Sequence, residues 1–227
     1  MKITAIPLLL ELLDLNGATV TIDAMGCQKE IAAKIVAGGG DYVLALKGNQ
    51  EKLHQAVDAA FTTALEARVR PPGMCRHVTT ETNRGRQERR DHTVLSAPRS
   101  LPGVAEWKGL ATLVMVLRIT RIDGREKGEV SYFLSSLPPK VKALAKFIRQ
   151  HWSIESQLHW VLDVTFSEDA SRIRKQHAPQ TSAMLRRLAV SILSADTSLK
   201  DTIRGKRYRA CLNTNTLERI LLGFAAN

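Results

Sequence analysis

The chain has few cysteines, no long apolar run and none of the short motifs that mark most hydrolases. Its three cysteines, Cys27, Cys75 and Cys211, are odd in number and far apart. That excludes a disulfide framework and a CxxC zinc site, and points to a reducing cytoplasm. No apolar stretch reaches the ~18 residues of a membrane span. Acidic Glu11 and Asp14 interrupt the apolar N-terminal stretch, and no small-residue cleavage site follows, so it does not read as a secretion signal. No GxSxG, HExxH or Cys/His pair points to hydrolase or protease chemistry, and Gly38-Gly39-Gly40 is a helix stop, not a dinucleotide fingerprint. What remains is ordinary globular composition, with 227 residues, 44% hydrophobic and 24% charged. At that length a core forms without staples. The formal charge is +11, unevenly spread: −3 over residues 1–67, +6 over 68–137, +2 over 138–164 and +6 over 165–227. Such a surface suits a polyanion, through release of counterions from neutralised phosphates, although the charge alone cannot choose among DNA, RNA and anionic lipid.

Along the chain, Ile6–Leu15 has helical spacing with Pro7 in its first turn, where a missing N–H costs little. Asn16-Gly17 closes it. Ala18–Ile22 is a β-branched run ending at Asp23, Gln28–Ala37 returns to helical spacing, and Asp41–Lys47 is a second strand ended by Gly48-Asn49. Helices alternating with strands over about 65 residues predict a parallel α/β sheet. After Pro71-Pro72-Gly73 the pattern changes. Residues 76–81, 86–95, 111–119 and 130–135 are strand-rich and separated by turn signals, which predicts an inserted antiparallel β subdomain. A long helix is expected over 141–164, another over 178–195 and a shorter one over 216–224. The expected organisation is a core over 1–70, the inserted subdomain over 71–138, the core resumed over 139–195 and a helical tail over 196–227.

Several residues could carry chemistry. Asp23 stands at the C-terminal end of a parallel strand, where α/β folds place their sites; the alternative is an ordinary helix N-cap or loop aspartate. On the helix over 141–164, His151, Glu155 and His159 recur every four residues and share a stripe beside an apolar face. Glu155 is the member a hard ion would use; the alternative is a solvated polar edge. Asp163, Glu168 and Asp169 read as a helix end and following cap. Lys47-Gly48-Asn49-Gln50 could turn a cation and amides toward a phosphate on the same rim, through Lys47 and Asn49. Arg84, Arg86, Arg89 and Arg90 cluster around one turn as a grip on backbone phosphates, or as an ordinary charged hairpin. Arg172, Arg174 and Lys175 read the same way. Of Trp107, Trp152 and Trp160, only Trp152 lies beside the proposed site.

Taken together, these segments resemble DDE-type insertion-sequence transposases, in the group that includes the H-repeat-associated proteins of Rhs elements. The resemblance rests on Val20–Gln28 around Asp23, on Asp41–Gln50, on the Gly85–Arg89 hairpin and above all on Arg149–Val164. Phe166–Asp169 and Arg172 extend it, so that it covers most of residues 3–195. It implies an α/β (α+β) fold: a ribonuclease H-like catalytic domain with a β-rich insertion, here incomplete. It assigns Asp23 and Glu155 as the second and third carboxylates of a triad holding two Mg²⁺ (or Mn²⁺) ions ~3.5–4 Å apart, which activate a nucleophile and stabilise the leaving oxygen of a phosphodiester. Arg149, His151 and Trp152, inside the strongest segment, join the expected DNA-contacting set.

Two departures shape the expectation. Such transposases carry an earlier Asp-Gly-Lys strand, which is not found here, and the Tyr-Arg-Glu-Lys signature of some relatives is not met, since His151 and Leu162 occupy its Arg and Lys positions. The chain is therefore expected to be the C-terminal part of a transposase, with the two-ion site complete only when the first Asp is supplied and little strand transfer by itself. An open sheet edge and uncovered apolar surface should accompany it. The expected partners are double-stranded DNA and either a second copy or a full-length transposase, with no membrane, in the bacterial cytoplasm at the nucleoid. The rival is a non-catalytic DNA-binding remnant or an inhibitor of the full-length enzyme. A third reading, an unrelated metal-dependent nuclease, would need Asp41, which lies at the wrong end of its strand.

Overall fold

A computed structural model of the chain describes residues 5–83 and 85–225, apart from the side chains of Glu155 and Ser156. It divides into two units, residues 1–151 and 152–227.

The first unit begins with helix α1 (Ala5–Glu11), strand β1 (Thr19–Ile22), helix α2 (Lys29–Ala37), strand β2 (Asp41–Leu46) and helix α3 (Glu51–Glu66). Four long strands follow: β3 (Cys75–Asn83), β4 (Arg86–Ser96), β5 (Thr112–Ile122) and β6 (Arg125–Ser135). All six strands belong to one sheet in the order β1-β2-β6-β5-β4-β3. β1 and β2 are parallel, Thr19 opposite Asp41 and Ile22 opposite Leu44. β6 runs antiparallel to β2, with Val43 opposite Ser135 and Leu46 opposite Tyr132. The β-rich segment that the sequence marks as an inserted subdomain thus continues the α/β sheet. The alternation of apolar residues explains why: Tyr132 and Leu134 face the same way as Leu44 and Leu46, so pairing β6 with β2 joins their apolar faces.

Strand β2, Asp-Tyr-Val-Leu-Ala-Leu, is apolar on both faces because both are covered. On one side Tyr42, Leu44, Leu46, Leu113 and Leu134 pack against Ile31, Ile35, Val57 and Phe61 of α2 and α3. On the other, Val43, Val94, Val114, Val116 and Phe133 pack against Leu144 and Ile148 of helix α4 (Val141–Ile154). Strand β1 forms the edge of the sheet, and Leu8, Leu9, Leu12 and Leu13 are exposed at 49–82%.

The second unit has two π-helical stretches, Glu155–His159 and Val161–Thr165, followed by α5 (Ala178–Ala195), α6 (Ile203–Leu212) and α7 (Thr214–Ala225). The single α-helix expected over 141–164 is α-helical only to Ile154. Val161, Leu162 and Val190 form a small core with Leu158, Phe166 and Ile203. Buried Lys206 donates to the Leu193 carbonyl at 3.0 Å and pairs with Asp196, so its charge is not left unmet. Helix α6 escapes the sequence reading because its Arg-Gly-Lys-Arg-Tyr-Arg run has no apolar period. No helix among the described residues is long and apolar enough to cross a membrane.

One buried pair on β4 sets an acid limit on stability. Arg76 donates Nε to Asp91 Oδ1 at 2.7 Å and a second bond to Oδ2, and these hold the Asp91 carboxyl below its ordinary value. Burial pushes the His92 imidazole down; a hydrogen bond with the His77 backbone opposes this, the charges of His77 and Arg90 add to it, and Asp91 opposes it. Both groups therefore bind protons more readily in the unfolded chain. Their stabilisation is complete above the ordinary histidine value of 6.5, declines as the pH falls toward the lowered His92 value, and is lost further below 3.8 as Asp91 protonates. The urea midpoint should fall between about pH 7.5 and about pH 5.5, an interval centred on the ordinary histidine range. A flat or rising midpoint there would contradict this account of His92.

Candidate functional site

Strand β1 ends at Ile22, and the chain turns into a short 3₁₀ segment, Ala24–Gly26, with Asp23 at its N-cap position. The Asp23 side chain makes no capping bond to that segment. This removes the cap alternative and leaves the carboxylate turned elsewhere, 76% exposed. The turn is held from below and from the side. Asn49 Nδ2 donates to the Ala24 carbonyl at 2.6 Å and Gln50 Nε2 to the Cys27 carbonyl at 3.0 Å, fastening the loop after β2 to the loop after β1. Gly26 sits so close to β1 that an added Cβ would lie 2.3 Å from Ile22 Cγ2, so only glycine fits that approach.

Across the sheet face, His151 near the end of α4 reaches both Asp23 and Thr21. Its Nε2 lies 2.9 Å from Asp23 Oδ1 and its Nδ1 3.0 Å from Thr21 Oγ1. A carboxylate only accepts, so Nε2 carries the proton and donates to Asp23, and in the neutral ring Nδ1 accepts from the Thr21 hydroxyl. Thr21 points to the α4 side because its register partner, Val43, does. The imidazole is thus held at both nitrogens and fixes one oxygen of an otherwise exposed carboxylate. The sequence reading placed His151 in the DNA-contacting set and missed Thr21. The signal for Thr21 was present, since Thr19 and Thr21 alternate with Val20 and Ile22 and so mark the face carrying a polar contact.

The donor chemistry at Asp23 suits a hard divalent cation. Mg²⁺ favours oxygen, keeps several waters and is usually bound through one or two carboxylates plus substrate phosphates, without a closed protein cage. An exposed carboxylate oriented by an imidazole could serve as such a ligand. No group of three His, Cys, Asp or Glu able to hold an ion stands among the described residues. Glu155 begins the first π-helical stretch, and its side chain lies outside the described residues.

The expected DNA-contacting residues fall into different surroundings. Lys47 is exposed just past β2, while Asn49 is spent on the turn after β1. Arg84 lies outside the described residues. Strand alternation splits the arginine cluster: Arg86 and Arg90 share the α4 side of the sheet, and Arg89 faces the other way. On the α4 side the buried carboxylate of Glu88 gathers Arg86 at 3.0 Å, Arg90, and Arg118 at 3.9 Å. Arg149 of α4 bonds Glu81 at 3.1 Å, and Arg90 pairs with the same residue at 3.2 Å. Partial burial raises the Glu81 carboxyl, but these two arginines outweigh it and hold it below its ordinary value. Arg89 lies 3.5 Å from Asp91. In the second unit Trp152 is 43% exposed, and Arg172, Arg174 and Lys175 are exposed, with Arg174 bonded to the carbonyls of Ser171 and Ile173.

The chain is similar to several known proteins. "Putative transposase YncI" of Escherichia coli O157:H7 is 41% identical over 224 residues, 97% of this chain and 57% of that protein. "H repeat-associated putative transposase YhhI" of Escherichia coli K12 is 38% identical over 227 residues, 98% of this chain and 59% of that protein. "Putative protein YbfL" of the same strain is likewise 38% identical over the same shares. The chain therefore spans less than two thirds of the length of these relatives. No solved structure matches it. A family model described as "Transposase DDE domain" matches residues 2–192, which include both β1 with Asp23 and the whole of α4. The chain belongs to the transposase DDE domain family.

Proposed function

We propose that this chain carries part of the active site of a DNA transposase, on a ribonuclease H-like core, with Asp23 and Glu155 as its metal-binding carboxylates. The observation that carries the reading is the exposed Asp23 carboxylate at the end of a parallel strand, fixed by His151 and spent on no cap. A bound Mg²⁺ or Mn²⁺ supplies polarisation of a phosphodiester and a more acidic attacking water or 3′-hydroxyl. The chain's own residues prepare that site. His151 holds one oxygen of Asp23 through Nε2–H, the Thr21 hydroxyl donates to Nδ1 and orients the ring, and Asn49 and Gln50 keep the turn beneath from moving. In strand cleavage the incoming oxygen forms a bond to phosphorus as the bond to the 3′-oxygen breaks, and that oxygen leaves with a proton as a 3′-hydroxyl.

The test is an ion titration with Mn²⁺ alongside a nicking assay on duplex DNA, using the wild-type chain, His151→Ala and His151→Gln. Loss of the imidazole should weaken Mn²⁺ binding by about 10–100-fold, the usual cost of an outer partner of a metal ligand. His151→Gln, whose amide can still donate, should recover part of it. Equal affinities in all three proteins would overturn the role of His151. A second reading, a DNA-binding protein without catalysis or an inhibitor of a longer transposase, is favoured by the basic surface of β3–β6. It predicts DNA binding untouched by any change at Asp23.

A further inference from the structure

Beyond β2 the sheet continues as an arm. The last residue of β2, Leu46, pairs with Tyr132, so Arg125 to Ser131 of β6 extend past it, together with the matching parts of β3, β4 and β5. Seven residues at ~3.3 Å each give a projection of about 23 Å. It leaves the sheet at the C-terminal ends of β1 and β2, the end that carries Asp23.

The two faces of this arm differ in charge. The side shared with α4 presents Arg86 and Arg90 from β4, Arg118 from β5, and Arg125 and Lys127 from β6, with Arg149 of α4 beside them. Three acids, Glu81, Glu88 and Glu129, form ion pairs with these cations. Glu88 and Glu129 hold Arg118 in place, while Arg125 and Lys127 make no ion pair among the described residues. A groove of about 690 Å³ runs between Arg86, Arg118, Arg125 and Lys127, with the carboxylates of only Asp123 and Glu126 among its lining residues. The opposite face presents Arg76, Arg89 and Arg121, and each is paired, the first two with Asp91 and the third with Glu126.

We propose that duplex DNA lies along the α4-side face of the arm, its phosphates in the groove between Arg86, Arg118, Arg125 and Lys127, and that the opposite face is turned away from it. The proposal rests on the reading of the chain as a DNA-acting protein and adds which surface the DNA meets. A duplex carries one charge per ~1.7 Å, so a 23 Å arm faces roughly 13 of them, ample for four cations. Arginines already oriented by a buried carboxylate lose little further freedom on binding. Because this face and Asp23 share one end and one side of the sheet, DNA laid there runs toward the carboxylate.

The experiment measures binding of the whole chain to a duplex oligonucleotide over a range of salt. It compares wild type, Arg125→Gln with Lys127→Gln, and Arg89→Gln with Arg121→Gln. All four residues are exposed, and thermal melts confirm that the variants fold. The α4-side pair should reduce the slope of log K against log salt by about 1.8, at ~0.9 per lost phosphate contact, and the opposite pair by less than half of that. An unchanged slope in the α4-side pair, or an equal or larger loss in the opposite pair, would overturn the proposal while leaving DNA binding intact. A wild-type chain that binds no duplex DNA would overturn the functional reading itself. Dependence on Arg125 and Lys127 for duplex RNA or anionic vesicles alone would overturn DNA as the occupant.

Discussion

Asp23→Asn should cut the affinity of the chain for Mn²⁺ by more than about 100-fold and abolish any ion-dependent nicking of DNA, while leaving its melting temperature nearly unchanged. The substitution isolates charge from shape. Asparagine keeps a side-chain oxygen where Oδ1 stands, so it can still accept from His151 Nε2 at the observed 2.9 Å. What it loses is the anionic oxygen that a hard dication needs. Removal of an outer partner costs about 10–100-fold, and removal of the ligand should exceed that. Stability should be spared because the side chain is 76% exposed and caps no helix; exposed substitutions of this kind usually stay within about 0.5 kcal/mol. Calorimetric titration with Mn²⁺, with a urea melt of the same samples, checks both halves. Unchanged ion affinity would return Asp23 to the status of a loop aspartate and leave the non-catalytic reading standing.

The second large effect lies in the core. Leu144→Ala should destabilise the chain by about 2–5 kcal/mol, the range for deleting a fully buried leucine when its surroundings collapse only in part. Leu144 is 0% exposed and packs with Val43, Val94, Val114 and Phe133, so it fixes α4 onto the sheet. The same helix carries His151 two turns further on, and its placement over Thr21 depends on that packing. The variant should therefore lose ion affinity as well as stability, even though Leu144 touches no functional group. Urea unfolding read by tryptophan fluorescence measures the first, and the Mn²⁺ titration the second. Val69→Ala, at an 81% exposed position, is the control and should change neither. A Leu144→Ala protein as stable as wild type would mean that α4 is held by something other than this apolar face.

Asp23, His151 and Glu155 were legible as candidates without coordinates. The β-branched run into Asp23 and the helical stripe of His151 and Glu155 are local patterns, and locality is what periodicity reports. The motif segments that resemble DDE transposases name the same residues, and the family match confirms the kinship. The partnership of His151 with Asp23 and Thr21 was not readable, because 128 and 130 residues of chain separate them. Nor was the work of Asn49 and Gln50. Read as a phosphate-facing pair, their amides instead fasten the turn behind Asp23, and only the parallel pairing of β1 with β2 brings those loops together.

The arginines of the β3–β4 hairpin show the same division. As a sequence they form one cluster around a turn; as strands they alternate, so Arg86 and Arg90 part from Arg89, and cations from β5 and β6 far along the chain become their neighbours. The sequence by itself determined most of the elements, the excess positive charge and the family, since each follows from residue types at short spacing. The tertiary structure alone decided that the β-rich segment continues the sheet, that His151 grips Asp23, and which face of the arm carries unpaired cations. Those depend on strand register and on helix packing across the sheet, which bury apolar faces first and only then fix what the polar residues between them can reach.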